Sequence, residues 1–227
     1  MSSGQADTTP RLTPKGRATR ERILATAASL ILEHGVTGTG IDDVRAAAGV
    51  SGSQMTHYFR DKQQLVKDVI AWQAQSVLTE HRAPQLGELD TFAALRLWAD
   101  LHIQRQVERD CRGGCSFGSL AGQLVESDPE VRTDLAGGFT EWLELFRHGF
   151  ALMRARGELV PAADPDSLAA AILAAMQGGM LLTQTLRDTA PLRASLDAAL
   201  TYIGTFAADP ESAAQALRLP LPGARAQ

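Results

Sequence analysis

Apolar residues recur at three- and four-residue steps along most of this chain, the period of helices with one buried face. Ile23, Ala27 and Leu30–Ile31 mark a first helix from Thr19, and Gly35 stands where a left-handed C-terminal cap is expected. Thr39 announces a short helix: its hydroxyl can accept from the Asp42 N–H, and Asp42 and Asp43 occupy a first turn that favours anions. Ile41, Val44 and Ala48 form the inward side of that helix. Gly49 then permits a tight turn, and Ser51 caps a second short helix ending near Phe59. From Lys62 a long amphipathic helix runs through Leu65, Val69, Trp72, Val77 and Leu78, fading before Pro84.

Pro84–Leu89 reads as a linker. A helix follows from about Asp90 to Glu108, with Phe92, Leu95, Trp98, His102 and Ile103 on overlapping apolar faces. Gly113–Gly114 break the chain between Cys111 and Cys115, a short helix covers Ser116 to Glu126, and Ser127-Asp128-Pro129 is a restart signal. That restart opens a helix past Phe139, Trp142, Phe146 and Met153 to Gly157. Two more helices span about Asp166–Arg187 and Leu192–Ala207. The count is about nine helices with no period-two strand and no internal repeat, so the expected fold is all-α. The expected organisation is a disordered arm over 1–16, a small helical head over 17–63, a larger helical body over 64–209, and a loosely ordered tail over 210–227.

Composition agrees with this picture, since alanine and leucine dominate the apolar fraction and aromatics are only 5%. Charge adds an asymmetry. Residues 1–62 carry eight Lys/Arg against six Asp/Glu, whereas the remainder carries fourteen against twenty. A mildly basic head on an acidic body suits nucleic-acid contact at one end. The N-terminal stretch is polar, unlike a secretory signal, and no apolar run approaches the roughly 20 residues of a membrane span. No membrane contact and a cytoplasmic location are therefore expected. Cys111 and Cys115 make no disulfide framework, and the five scattered histidines show no ligand spacing, so neither metal nor cofactor is expected.

The chemistry sits in Thr39–Lys62. Two short helices at a steep angle allow the first to cross the phosphate backbone and the second to enter the major groove. With Ile41, Val44, Val50, Met55 and Phe59 inside, Gly52, Ser53, Gln54, Thr56 and His57 remain outward on the second helix. Gln54 can pair with an adenine edge, Ser and Thr can serve bases or phosphates, and Gly52 permits close backbone approach. Tyr58 and Lys62 stand where phosphates would be gripped.

These residues resemble the TetR family of bacterial transcriptional repressors. The resemblance covers 19–62 and is carried by Arg20, Ile23-Leu24, Ala27-Ala28, Leu30, Gly35, Thr39, Ile41, Val44, Ala48-Gly49-Val50-Ser51, Tyr58-Phe59 and Lys62, with Leu65 beyond. It implies DNA contact by Thr39, Ser51, Ser53, Thr56, Tyr58 and Lys62. Gly52, Gln54, His57 and Arg45 complete the set of DNA-binding candidates. Thr56 departs from the family pattern, which places Tyr there. The implied activity is that of a repressor, not an enzyme, released from a palindromic double-stranded operator by a small-molecule effector or electrophile, with a helix-turn-helix DNA-binding domain over 17–63 and a ligand-binding and dimerisation domain over 64–209.

The resemblance implies that the last two long helices build a four-helix homodimer interface, and some of their apolar residues must instead be core of the single chain. Leu168, Ile172, Ala175-Met176, Gly179-Met180 and Thr183 form a broad face, with small residues Ala169–Ala171, Ala174 and Gly178 beside it, and the final helix offers Leu196, Leu200, Ile203 and Phe206. Small residues suit tight packing against a second copy, and two recognition helices on a dyad can read a palindrome. Ligand-binding candidates are Trp72, Trp98, His102, Phe117 and Trp142. Cys115 precedes a helix N-terminus, whose dipole would lower a thiol pKa, so it is a candidate thiol sensor. The stretch Gly114-Cys115…Gly118-Ser119-Leu120…Glu126 resembles a TetR subgroup whose C-terminal domain begins with a Gly-Cys element. The rival readings are a thiol redox protein using Cys111 and Cys115, and a repressor that needs no effector.

Overall fold

The computed structural model describes residues 12–126 and 129–218, and among them the chain is all-helical. Ten helices follow in order: α1 Pro14–Gly38, α2 Ile41–Ala47, α3 Gly52–Tyr58, α4 Lys62–His81, α5 Phe92–Glu108, α6 Ser116–Leu124, α7 Pro129–Ala155, α8 Pro165–Leu186, α9 Ala190–Gly204 and α10 Pro210–Ala216. A 3-10 turn, Pro84–Leu86, occupies the expected linker. The chain forms two compact units that divide between Val69 and Ile70, inside α4.

Several boundaries differ from the periodic reading, and side-chain caps explain them. α1 begins at Pro14 rather than Thr19, because Pro14 is preset for the first turn and the Thr13 hydroxyl accepts from the Gly16 N–H at 3.1 Å. Residues 14–16 are thus helical, and residues 1–11 of the expected arm lie outside the described residues. Gly35 does take a positive φ of 75° and breaks the helical path within α1. α10 occupies the beginning of the expected tail. Asp209 accepts from the Glu211 and Ser212 N–H groups with Pro210 in the first turn, the same Asp-Pro start that opens α8 at Asp164–Pro165. Residues 219–227 lie outside the described residues, as do Ser127 and Asp128 of the expected restart.

In the first unit, Ile23, Leu24, Ala27 and Ile31 of α1 pack with Val44, Val50, Met55, Phe59, Leu65 and Val69 as buried core. Arg20 lies 5.6 Å from the Phe59 ring centre and pairs with Asp68 at 2.6 Å. The second unit centres on Trp98, Trp142, Phe117, Phe146 and Phe150, all fully buried. Arg96 on α5 bonds Asp197 on α9 at 2.5 Å and also Asp100; burial works against its charge, and the two carboxylates more than offset it.

α8 corrects the expected dimer face. Leu168, Ile172, Met176, Gly179, Met180 and Thr183 are buried within the unit, as are Leu196, Leu200 and Ile203 of α9. A Cβ at Gly179 would lie 2.9 Å from the Leu192 Cα, and the Leu192 N–H donates to the Thr183 hydroxyl at 3.2 Å. That small-residue contact therefore joins α8 to α9 of the same chain. The outward face of α8 instead carries Ala170, Ala174, Gly178, Leu181, Leu182 and Leu186. α8 is also long and apolar enough to cross a membrane by length and composition, contrary to the reading of the sequence; 44% of that apolar window is buried. A helix packed on both α7 and α9 needs two apolar faces, and that raises its overall hydropathy.

Candidate nucleic-acid interface and effector core

α2 and α3 are joined by Ala48–Ser51, with Gly49 at φ 64°, a conformation that glycine adopts without Cβ strain. Val50 closes the turn inward by donating its N–H to the Arg45 carbonyl at 3.2 Å. Met55 and Phe59 anchor α3 to the core, so Ser51, Gly52, Ser53, Gln54, Thr56 and His57 are all exposed, as their spacing predicts. A Cβ built at Gly52 would meet nothing within 4 Å, leaving open space above this backbone. Tyr58 is half-buried, in edge contact with His57 at 5.0 Å.

Hydrogen bonding alters the expected roles of several candidates. Gln54 folds back: its Oε1 accepts from the Ser51 N–H at 2.9 Å while its own N–H donates to the Ser51 hydroxyl at 3.2 Å. A two-pronged contact to adenine would have to break this reciprocal cap. Thr56 donates to the Gly52 or Ser53 carbonyl, and the Ser51 and Ser53 hydroxyls bond each other at 3.0 Å. Thr39 does not cap α2. It is only 4% exposed, and its hydroxyl donates back to the Gly35 carbonyl at 2.8 Å. Gly40 holds the cap position, with its N–H donating to Asp43 Oδ2 at 2.8 Å. Arg45 is tied to Asp42 at 3.0 Å, and Lys62 Nζ reaches the Thr37 carbonyl at 3.5 Å.

In the second unit, four of the five ligand candidates fall in one aromatic core. Trp98 and His102 on α5 stand 4.8 Å apart between ring centres, and Phe117 reaches Trp142 by way of Phe139. Trp72 stands apart. It is half-buried, and nine residues along α4 put it half a turn away from His81, the residue that does enter the core. The periodic reading missed His81, and its helical register with Leu78 and Ala74 was the available signal. Its ring lies 4.9 Å from Trp142, 5.2 Å from His102, 5.9 Å from Trp98 and 6.0 Å from Phe146.

Both imidazoles are tied through Nδ1 to the carbonyl one turn back, His81 to Val77 and His102 to Trp98, each at 2.8 Å. A carbonyl can only accept, so Nδ1 carries the proton. Burial pushes His81 down to about 4, with Arg105 adding to the effect. Burial and then His81 push His102 down to about 3. The core is thus neutral and apolar, yet His81 Nε2, Trp98 Nε1, Trp142 Nε1 and Gln106 Oε1 are buried there without a partner. A groove of about 790 Å³ lies elsewhere, over α5, α9 and α10, on a floor that includes Arg96 and Leu200.

Cys115 does cap α6, its sulfur accepting from the Gly118 N–H at 3.3 Å and from Gln177 Nε2 at 3.4 Å. Its thiol does not become acidic. Burial raises its pKa above the ordinary value, outweighing the hydrogen bonds from Gly118, Gln177 and Phe117 that would lower it. A Cβ at Gly118 would collide with the Gln177 amide, and one at Gly114 with Gln184, so both glycines make room for α8 side chains. Cys111 is buried at φ 55°, and both cysteines are free thiols.

Comparison with known proteins places both units. Residues 23–69 match the family described as bacterial regulatory proteins, tetR family, and residues 92–199 match the tetracyclin repressor-like C-terminal domain. The transcriptional regulator AcuR of Cereibacter sphaeroides is 27% identical over 173 residues, 76% of this chain and 79% of that protein. The transcriptional repressor BepR of Brucella suis is 28% identical over 172 residues, 72% of this chain and 78% of that one. A solved TetR transcriptional regulator from Chloroflexus aurantiacus superposes with a TM-score of 0.73 at 29% identity, covering 86% of this chain and 98% of its own. With a helix-turn-helix in the first unit and family matches spanning most of both, this chain belongs to the TetR family of DNA-binding transcriptional regulators.

Proposed function

We propose that the protein is a homodimeric repressor that places α3 of each copy in successive major grooves of a palindromic operator and leaves it when a small molecule binds the second unit. The exposed row from Ser51 to His57, presented by a core-anchored α3, carries this reading. Gly52, Ser53, Thr56 and His57 face the bases, and Gln54 joins them where its cap opens. Ser51, Tyr58, Lys62 and Arg45 hold phosphates. Thr39 acts through its buried bond to Gly35, fixing the entry to α2. Such a regulator works in the cytoplasm, where its operator lies.

The dimer is formed by the outward faces of α8 and α9. Leu181, Leu182 and Leu186 are 59%, 52% and 62% exposed, and Tyr202 on α9 is exposed beside Ala194 and Ala198. Large apolar side chains exposed beside small ones favour close helix packing against a second copy. The effector binds the core around Trp98, His102, Phe117 and Trp142, and it works only if its affinity differs between the two head spacings. The raised pKa of Cys115 favours this reversible binding over thiol chemistry.

Fluorescence anisotropy with labelled duplexes tiling the DNA upstream of the gene tests the reading. One duplex should bind tightly at two protomers per site, with affinity falling steeply as salt rises. Equal affinity for every duplex would refute sequence-specific regulation.

A further inference from the structure

α3 is seven residues long, and it is anchored by buried Met55 within it and buried Phe59 at its end. The seat of Phe59 therefore sets how so short a helix is aimed. We propose that Arg20 and Asp68 are positioning residues for DNA reading: together they fix Phe59, and through it the angle at which α3 meets the major groove. They do so without touching DNA. The assignment rests on α3 being the reading helix, as put forward above.

Arg20 stands one turn after Gly16 on the same face of α1, and that face meets two successive aromatic residues at the end of α3. A Cβ at Gly16 would lie 3.5 Å from the Tyr58 hydroxyl, and the Arg20 guanidinium lies 5.6 Å from the Phe59 ring centre, close enough for a cation–π contact. Phe59 is only 1% exposed, and its N–H closes α3 by donating to the Met55 carbonyl at 2.9 Å. The two rings stand 6.4 Å apart on adjacent residues, so a shift of Phe59 carries Tyr58 with it.

A guanidinium on a long stem keeps to a ring only where something holds it, and Asp68 does so from α4. Its Oδ2 accepts from Arg20 at 2.6 Å, while its Oδ1 accepts from Gln64 Nε2, one turn back on α4, at 3.0 Å. Three helices thus meet at one side chain: α1 supplies Arg20, α3 ends in the ring beneath it, and α4 supplies the carboxylate. The pair is not core. The Arg20 and Asp68 side chains are 35% and 20% exposed, and Ile23, Leu24, Val44, Leu65 and Val69 fill the interior without them. Partly exposed ion pairs add little to stability, so the consequence of this one falls on the aim of α3.

The test compares two probes with the full-length protein by fluorescence anisotropy: a duplex selected from a randomised pool, and its scrambled sequence. Asp68→Asn keeps the shape of the side chain and removes its charge. Electrostatics alone would tighten binding to both duplexes, because a negative charge leaves the DNA-binding unit. Loss of aim should instead weaken the selected duplex about tenfold and leave the scrambled one no weaker. Arg20→Gln should lower the ratio of the two affinities by the same factor, and the double variant no further, since the pair acts as a unit. The salt dependence of the selected duplex should stay that of the wild type. A slope smaller by about one in Arg20→Gln would mean that Arg20 holds a phosphate itself, and would overturn the assignment. An equal loss on both duplexes, with earlier melting by circular dichroism, would reduce the pair to a fold contact and overturn it too. Ser53→Ala combined with His57→Ala separates the two claims. If that variant loses preference while Asp68→Asn keeps it, α3 reads DNA and only the assignment fails. If it keeps full preference, α3 is not the reader and both fail.

Discussion

The buried imidazole pair makes the second unit sensitive to acid in a window that carboxylates do not explain. His81 and His102 are held neutral, with pKa values of about 4 and about 3, whereas in the unfolded chain an imidazole titrates near 6.5. Above that value neither state binds a proton and the pair costs nothing. As the pH falls below it, the unfolded chain takes up two protons that the folded core refuses, so stability drops. Each pH unit costs about 1.4 kcal/mol per histidine, so between pH 6.5 and 5 the pair removes about 4 kcal/mol. The loss from His81 levels off near its folded value, where the folded state also protonates. Urea unfolding at several pH values measures this directly, and tryptophan emission reports the second unit alone, since Trp72, Trp98 and Trp142 all lie in it. The paired variant His81→Leu with His102→Asn removes both titrating rings. The Asn amide can keep the bond to the Trp98 carbonyl, while exposed His34, His57 and His148 remain as background. The variant should lose most of the pH dependence between 6.5 and 5. If its slope over that interval equals that of the wild type, the buried pair is not the cause.

Three further outcomes follow from single positions. Gly52→Ala meets no atom within 4 Å and should leave thermal stability unchanged or slightly raised, yet lower operator affinity in anisotropy assays if the α3 backbone closes on DNA. Leu182→Glu should turn the dimer into a monomer by light scattering and weaken operator binding, with little effect on the helical signal, because this side chain is half-exposed within one chain. Gly138→Ala would put a Cβ 2.5 Å from the Phe117 ring and 3.1 Å from Ala74; differential scanning calorimetry should show a loss of about 1–3 kcal/mol, overriding the helix preference of alanine.

What the sequence made legible and what it hid divide along a physical line. Period and cap chemistry are local, so α2, Gly49 and α3 could be read before any contact was known, and the exposed row from Ser51 to His57 followed from the burial of Met55 and Phe59. Side-chain bonds within that row could not be read, because Gln54 has the same composition whether it faces a base or closes its own cap. The α10 start was available, since Asp209–Pro210 repeats the Asp164–Pro165 signal, but its short Ala-rich run resembled a tail. Contacts between distant elements were the hardest. His81 lies 21 residues from His102 and 61 from Trp142, and only packing shows that α4 points it into that core.

α8 shows why such a division has consequences for function. Its small and apolar residues make one broad stripe in sequence, and composition alone cannot say which half meets its own α9 and which a second copy. The chain resolves this with adjacent glycines. Gly179 is the close approach to Leu192, so a side chain there would push α9 away, whereas Gly178 has open space above it. A residue that enlarges position 179 should therefore unfold the unit, and one that enlarges position 178 should only part the dimer. On the proposed dimer, folding and assembly would occupy opposite sides of one helix. A regulator built this way can adjust the fit between its two copies, and with it the spacing of its DNA-reading helices, while its own core stays packed.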